Sequence, residues 1–351
     1  SIYNNMTLID DYIAEQNTYE KKYGPNTIVL MQVGHFYEAY AVDNSQEKSN
    51  SANLYRLSDI MNIQMTRKNK SIPDNNRGNP LMIGVNIFSI DKFVQILLNA
   101  NYTIVIIEQI SQPPFVKRGV TNIYSPGTNI QYNLKGDTNN LMSVYLETIT
   151  GSQDRMCIGM STIDLSTGRN IVYECYSQPN DKNYALDELF RFIQVYDPKE
   201  LVFNIKDPSH SAILSKEELS NYLDLSQRVV HFNDLCDEDT YLSCKEYFKL
   251  SYQNAFLKQI FPNTGLLSVI EYLDLEQKNF AMICYLFLLN FAYEHSENIV
   301  KKISKPELWE QSQYLALTNN TINQLNLVSH NSVNYNTKFN SLYAVINNTS
   351  T

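Results

Sequence analysis

The sequence predicts an α/β protein of more than one domain, on three observations. Over residues 1–130, strand-length runs of branched apolar residues alternate with amphipathic helical segments. A second alternation begins near Met142, and from about Asp239 onward the pattern turns helical. At 351 residues with 43% apolar side chains, the chain exceeds one ordinary domain and can bury more than one core. The expected boundaries are 1–130, 138–240 and 241–351, with Gly136-Asp137-Thr138-Asn139-Asn140 as linker.

In chain order, residues 6–22 form an opening helix, with Leu8, Tyr12 and Ile13 on one face and Thr7 or Asp10 as cap. Ile28–Val33 is a strand. Asn44–Asn53 is a loop and Leu54–Met61 a short helix. Ile63–Lys68 alternates like a strand, Asn69–Pro80 is a mobile loop, and Leu81–Val85 is a strand. Ser89 or Asp91 opens a helix with Phe93, Ile96 and Leu97 on one face. Tyr102–Ile107 is a buried strand, and Ser125-Pro126-Gly127-Thr128 is the closing turn. In the second unit, Met142–Ile149, Met156–Leu165 and Asn170–Cys175 read as three strands, the last two joined by a hairpin turn at Ser166-Thr167-Gly168. Helix Tyr184–Val195 and strand Glu200–Asn204 follow. Helices are then expected over Tyr241–Phe261, Leu266–Leu275, Phe280–Ile303 (long and amphipathic) and 313–329.

The stretch around which the chain is organised is Val33-Gly34-His35-Phe36-Tyr37-Glu38-Ala39-Tyr40. Gly34 ends an apolar run and can adopt angles other residues avoid. An exposed ring followed two residues later by a carboxylate would pair a flat apolar plate with a hydrogen-bond acceptor. That combination suits stacked bases with polar edges. The ordinary alternative is that the rings pack into the core and Glu38 faces water.

The net charge of −9 argues against a generally basic nucleic-acid binder. Residues 1–130 are neutral, however, and within them Arg56, Arg67, Lys68, Lys70 and Arg77 face only Asp59 and Asp74. Phosphate contacts belong in that window. The five cysteines include no C-x-x-C pair, which points to free thiols in a reducing compartment. No signal peptide or membrane-length apolar run is read, so a soluble intracellular protein is expected. There is no phosphate-binding loop, no H-E-x-x-H and no clustered metal spacing; the five histidines are far apart. Asp164 on a strand could begin a metal-nuclease site, but the sequence offers it no obvious acidic companions.

Several ordered blocks resemble the N-terminal part of the MutS family. Val33-Gly34-His35-Phe36-Tyr37-Glu38 is similar to the G-D-F-Y-E block with its Phe-x-Glu motif. Ile63-Gln64-Met65-Thr66-Arg67-Lys68 resembles I-S-L-T-K-R, and Pro80–Val85 resembles P-M-A-G-I. Ile107-Glu108-Gln109 resembles C-E-Q, and Ser125–Thr128 resembles T-P-G-T. Ser161–Arg169 resembles the A-x-L-D-I-S-S-G-R hairpin, and Leu315–Leu325 an early core segment. Departures are His35 in place of an acid, Val85-Asn86-Ile87-Phe88-Ser89 in place of I-P-x-H-A, and Asn69 in place of a glycine. The Asn, Ile and Tyr bias suits an AT-rich genome such as that of a giant virus, which would place the protein in host cytoplasm.

The resemblance implies a mixed-sheet α/β mismatch-binding domain, an RNase H-like α/β connector and the start of a mainly α-helical core. It implies recognition of double-stranded DNA carrying mismatches or small loops, with Phe36 as wedge, Glu38 bonded to the displaced base, Arg67 and Lys68 on phosphates, and Thr66 and Lys70 as further DNA-binding residues. No catalytic activity, cofactor or metal is expected in this piece. ATP and Mg2+ are expected in a C-terminal part of a DNA-dependent ATPase, with a homodimer and a MutL-type partner. The rival from another class is an RNase H-like metal-dependent nuclease or resolvase using Asp164.

Overall fold

A computed structural model describes residues 7–111, 117–129, 139–149, 155–178, 180–181, 183–208, 215–295, 297–310, 324–327 and 341–346. Residues 136–138 of the expected linker, and all of the expected 313–329 helix except 324–327, lie outside that set. A reciprocal cap opens α1 (Leu8–Tyr23): the Thr7 hydroxyl accepts the Asp10 amide at 3.3 Å, and the Asp10 carboxylate accepts the Thr7 amide at 3.0 Å.

The first sheet is mixed. It contains β1 (Thr27–Val33), β2 (Phe36–Asp43), β3 (Lys48–Ser49), β4 (Thr66–Arg67), β5 (Leu81–Asn86), β6 (Thr103–Gln109) and β7 (Arg118–Tyr124). The order is β4-β5-β2-β1-β6-β7, with β3 on β2; β1 and β6 are parallel and the other pairs antiparallel. Strands β1 and β2 pair only over Met31–Val33 and Phe36–Glu38. Below that, α1 satisfies the open edge of β1. Buried Gln16 donates to the Thr27 carbonyl and accepts the Val29 amide, each at 2.9 Å, and the Tyr12 hydroxyl donates to the Val29 carbonyl at 3.0 Å. Helices α2 (Ser51–Met61) and α3 (Ile90–Asn99) complete this core through Leu54, Leu57, Val94 and Leu97.

The second sheet is also mixed: β8 (Asn140–Ile149), β9 (Arg155–Asp164), β10 (Asn170–Tyr176), β11 (Glu200–Lys206), β12 (Val229–Asp234) and β13 (Glu307–Leu308), in the order β12-β11-β8-β9-β10-β13. Strands β8, β11 and β12 are parallel, and β8, β9 and β10 form an antiparallel meander. Period-2 alternation gives this sheet two apolar faces. Met142, Val144 and Leu146 meet α4 (Tyr184–Tyr196) and α5 (Lys216–Tyr222). Leu141, Ile163 and Val172 meet α7 (Leu250–Ile260), α8 (Val269–Tyr272) and α9 (Asn279–His295). The helices after residue 241 therefore share a core with the second sheet.

Several elements differ from the sequence reading. Ser51, not Leu54, opens α2, and only Thr66–Arg67 of the 63–68 stretch is strand, because Ile63 and Met65 turn against the core. The Asn69–Pro80 loop, expected to be mobile, is gathered around buried Asn79, whose side chain donates to the carbonyls of Asn69, Ile72 and Asp74 and accepts the Asn69 amide at 2.7 Å. The 241–261 helix breaks between α6 (Glu238–Cys244) and α7, where Tyr247 and Phe248 turn into a cluster with Tyr145 and Phe287. Helical residues run over Asn279–His295 and Glu297–Val300, short of Ile303, and α9 is buried around most of its circumference rather than amphipathic, because sheet and helices enclose it. Strands β7 and β12 and helix α5 were not anticipated.

Candidate nucleic-acid interface

The hairpin joining β1 to β2 has a two-residue turn, Gly34-His35, with Gly34 at φ +60°. A glycine at the first turn position lets the chain reverse without strain. Val33 and Phe36 are Cα partners, so the ring of Phe36 stands on the first residue past the turn. It is 45% exposed, whereas Tyr37 and Tyr40 are buried. By alternation Phe36, Glu38 and Tyr40 project from one side of β2, while Tyr37, Ala39 and Ala41 project from the other. The Tyr40 hydroxyl donates to the Glu38 carboxylate, and the Tyr37 hydroxyl donates to Glu108 on β6. Burial, with these carboxylate partners, pushes both phenols well above the ordinary tyrosine range. The acid two residues after the ring is thus held by a donor on its own strand face.

The basic residues predicted for phosphate contact lie at the other end of β2. Thr66 is the Cα partner of Met82, itself opposite Tyr40; Arg67 is opposite Leu81, itself opposite Ala41. Five strand residues separate Phe36 from that level, roughly 17 Å. Thr66 shares the Phe36 side, whereas Arg67 starts from the opposite side and donates to the Pro73 carbonyl at 3.3 Å. Lys68 and Lys70 are exposed. Arg77 does not join them: its guanidinium pairs with Asp10 at 2.7 Å and Glu47 at 2.9 Å. Sequence reasoning also passed over Arg118, at the Phe36 end of the sheet, which donates to the Gln32 carbonyl at 3.3 Å. Its signal was the Lys117-Arg118 pair preceding a strand-length run.

Asp164 is part of a turn. Its carboxylate accepts the Ser166 amide at 3.0 Å and the Thr167 hydroxyl at 2.8 Å. Burial pushes this carboxyl up, and those hydrogen bonds more than offset it. Among the described residues no three His, Cys, Asp or Glu side chains gather as a metal site. The nuclease reading therefore has no supporting geometry.

Comparison with known proteins agrees with the blocks read in the sequence. The family model for MutS domain I matches residues 14–133. The mutS homolog of Acanthamoeba polyphaga mimivirus is 34% identical over 98% of this chain and 32% of its own length. The chain belongs to the MutS family. DNA mismatch repair protein MutS of Fervidobacterium nodosum is 24% identical over 93% of this MutS-family chain and 32% of the relative. That of Streptococcus mutans is 33% identical over 42% of the chain and 16% of the relative. The chain spans about a third of the length of the first two relatives. The region matched by the family model contains Phe36, Glu38, Thr66, Arg67, Lys68 and Lys70. Among the described residues no helix is long and apolar enough to cross a membrane.

Proposed function

We propose that this chain reads DNA mismatches, with Phe36 entering the minor groove beside a mispaired or unpaired base. The observation that carries the reading is the exposed ring on the first residue past a tight hairpin, with its neighbours buried. Unstacking a base step costs a few kcal/mol, less where pairing is already defective. A ring pressed against the groove therefore enters a mismatch more readily than a matched step, and duplex deformability is read as energy. Glu38, about 7 Å further along the strand, bonds the displaced base. Thr66, Arg67, Lys68 and Lys70 hold phosphates about five base steps away, at 3.4 Å per step, and set the register without reading sequence.

The strand order of the second sheet, a meander with two parallel strands added beside its first member, supports an RNase H-like connector. In the intact protein this connector would relay change between the DNA clamp and an ATPase portion outside this chain, to which ATP and Mg2+ are assigned. A homodimer and a MutL-type partner complete the reading. The decisive experiment compares matched and singly mismatched duplexes bound by intact protein carrying Phe36→Ala. Loss of mismatch preference is expected; preference retained in full overturns the wedge.

A further inference from the structure

Phe88 is the most exposed aromatic ring among the described residues, at 88%. It lies in a short 3-10 turn, Ile87–Ser89, directly after β5. That turn is fixed at both sides: the Asn86 side chain accepts the Phe88 amide at 3.0 Å, and the Ile87 amide donates to the His35 carbonyl at 3.1 Å. Ile87, Ile90 and Phe93 around it pack against the core, and Phe88 alone of these apolar side chains stays in water. Full burial of such a ring is worth about 2–3 kcal/mol, so the exposed position forgoes a stabilisation its neighbours obtain.

The position relates directly to the wedge. Asn86 is the Cα partner of Phe36 across β5 and β2. Antiparallel partners lie about 5 Å apart, and two further residues add at most about 7 Å. The two exposed rings are therefore anchored within roughly 12 Å, three to four base steps of a duplex. Exposed Lys117 and half-buried Arg118 lie at the same end of the sheet, at the start of β7 beyond β1 and β6, so the Phe36 side of the pair carries charges that attract phosphates.

We propose that Phe88 is a second DNA-contacting ring of the same site, resting on the apolar deoxyribose faces of the steps flanking the one that Phe36 enters. This rests on the wedge reading of Phe36. Insertion of a wedge bends a duplex toward the major groove and opens the minor groove. Flanking sugars then come within reach of a ring held beside the wedge, whereas a straight duplex leaves that ring in water. The contact is thus formed mainly in the bent complex and adds to mismatch preference.

The test uses intact protein with Phe88→Ala, Phe88→Leu, Phe88→Trp and Phe36→Ala, each with matched and singly mismatched duplexes. Because the ring is exposed, the substitutions leave the core intact. Phe88→Ala is expected to weaken mismatch binding about fivefold, roughly 1 kcal/mol, with less than about a twofold change on matched DNA. Phe88→Leu restores most of the loss. The indole introduced by Phe88→Trp should shift its emission on mismatched DNA, read as the difference from the unsubstituted protein, in which Trp309 is buried in the second core. Unchanged binding by Phe88→Ala, an equal loss on both duplexes, or unshifted emission from the Phe88→Trp protein overturns the role of Phe88 whatever Phe36 does. Mismatch preference retained by Phe36→Ala overturns the wedge itself, a result separate from the Phe88 measurements.

Discussion

Glu200 on β11 accepts the hydroxyl of Ser125 at 2.6 Å, and both residues are fully buried. The same carboxylate oxygen accepts the Gly127 amide at 2.8 Å, and His231 Nε2 on β12 lies 2.6 Å from the other oxygen. The turn that closes the first unit is thereby fastened to the second sheet. A Cβ on Gly127 would lie 2.4 Å from that of Glu200, so only glycine allows this approach. Glu200→Ala should strip partners from several buried polar groups and cost about 3 kcal/mol. Glu200→Gln, which keeps one acceptor and offers a donor, should cost less than half of that. Urea unfolding midpoints of the two variants decide it; equal, small losses would show that the junction does not depend on the carboxylate.

The same junction sets a pH dependence. Burial would raise the Glu200 carboxyl, but hydrogen bonds from His231 and Ser125, with the nearby His295, outweigh it and hold it below the ordinary range. Its stabilisation is complete above the usual glutamate value of about 4.3 and is lost as pH falls below it. Burial likewise holds His295 below the ordinary histidine value, despite Glu200, Glu294 and its bond to the Phe291 carbonyl, which favour the charged form. The unfolded chain then binds the His295 proton first, so stability falls as pH drops below about 6.5. Melting temperature should decline between pH 7.5 and 5.5, and decline less in His295→Leu. An identical slope in the variant would refute the assignment.

Helix α9 is seated through Gly159. A Cβ there would lie 2.1 Å from the Phe280 carbonyl oxygen, a backbone atom that can retreat only if the helix does. The Glu174 carboxylate fixes the same helix start by accepting the Phe280 and Ala281 amides at 3.1 and 3.2 Å. Gly159→Ala should therefore destabilise by about 3 kcal/mol. Gly119→Ala, whose Cβ would meet only the Ile110 side chain at 3.4 Å, is the control and should be nearly neutral. Comparable melting of both variants would mean that α9 is not held against the sheet as described.

What was legible in the sequence was local. A cap at Thr7 or Asp10, the end of the first strand at Gly34 and the three strands of the meander depend on residues a few positions apart, and each appears in the structure, Thr7 being the N-cap and Asp10 its reciprocal partner. What was not legible depends on distant partners. Arg77 reads as a free cation until Asp10, 67 positions away, comes beside it. The exposed middle of edge strand β7 gave no alternating apolar signal. Helix α9 looks amphipathic until the sheet and the helices α7 and α8 enclose it. Exposure of Phe36 was likewise undecidable from the octapeptide alone, because Tyr37, one residue on, turns inward.

The basic end of the site separates affinity from discrimination. Exposed Lys68 and half-buried Arg67 should contribute to matched and mismatched binding alike. Arg67→Ala and Lys68→Ala should each weaken both complexes by a similar factor and make the salt slope shallower by about one. Arg67 also ties the loop at Pro73, so its variant should melt earlier, whereas Lys68→Ala should not. A loss confined to the mismatched duplex would contradict the phosphate assignment.

Glu38 should work in the opposite sense. At about 10 Å a carboxylate repels each phosphate by about 0.5 kcal/mol at an effective dielectric constant of about 20 after screening, so two such phosphates cost about 1 kcal/mol, and nothing on matched DNA compensates for that. A displaced base can offer it a hydrogen bond, so the acid opposes binding generally and tolerates it where a base has moved. Glu38→Gln keeps an acceptor for the Tyr40 hydroxyl, so the strand face is preserved. This variant should bind matched DNA roughly fivefold more tightly and mismatched DNA little better, lowering the preference between them. Titrating both duplexes at two salt concentrations tests it, because the matched-duplex gain should shrink at the higher salt. A variant that loses affinity equally on both duplexes would make Glu38 an ordinary contact and remove it from discrimination.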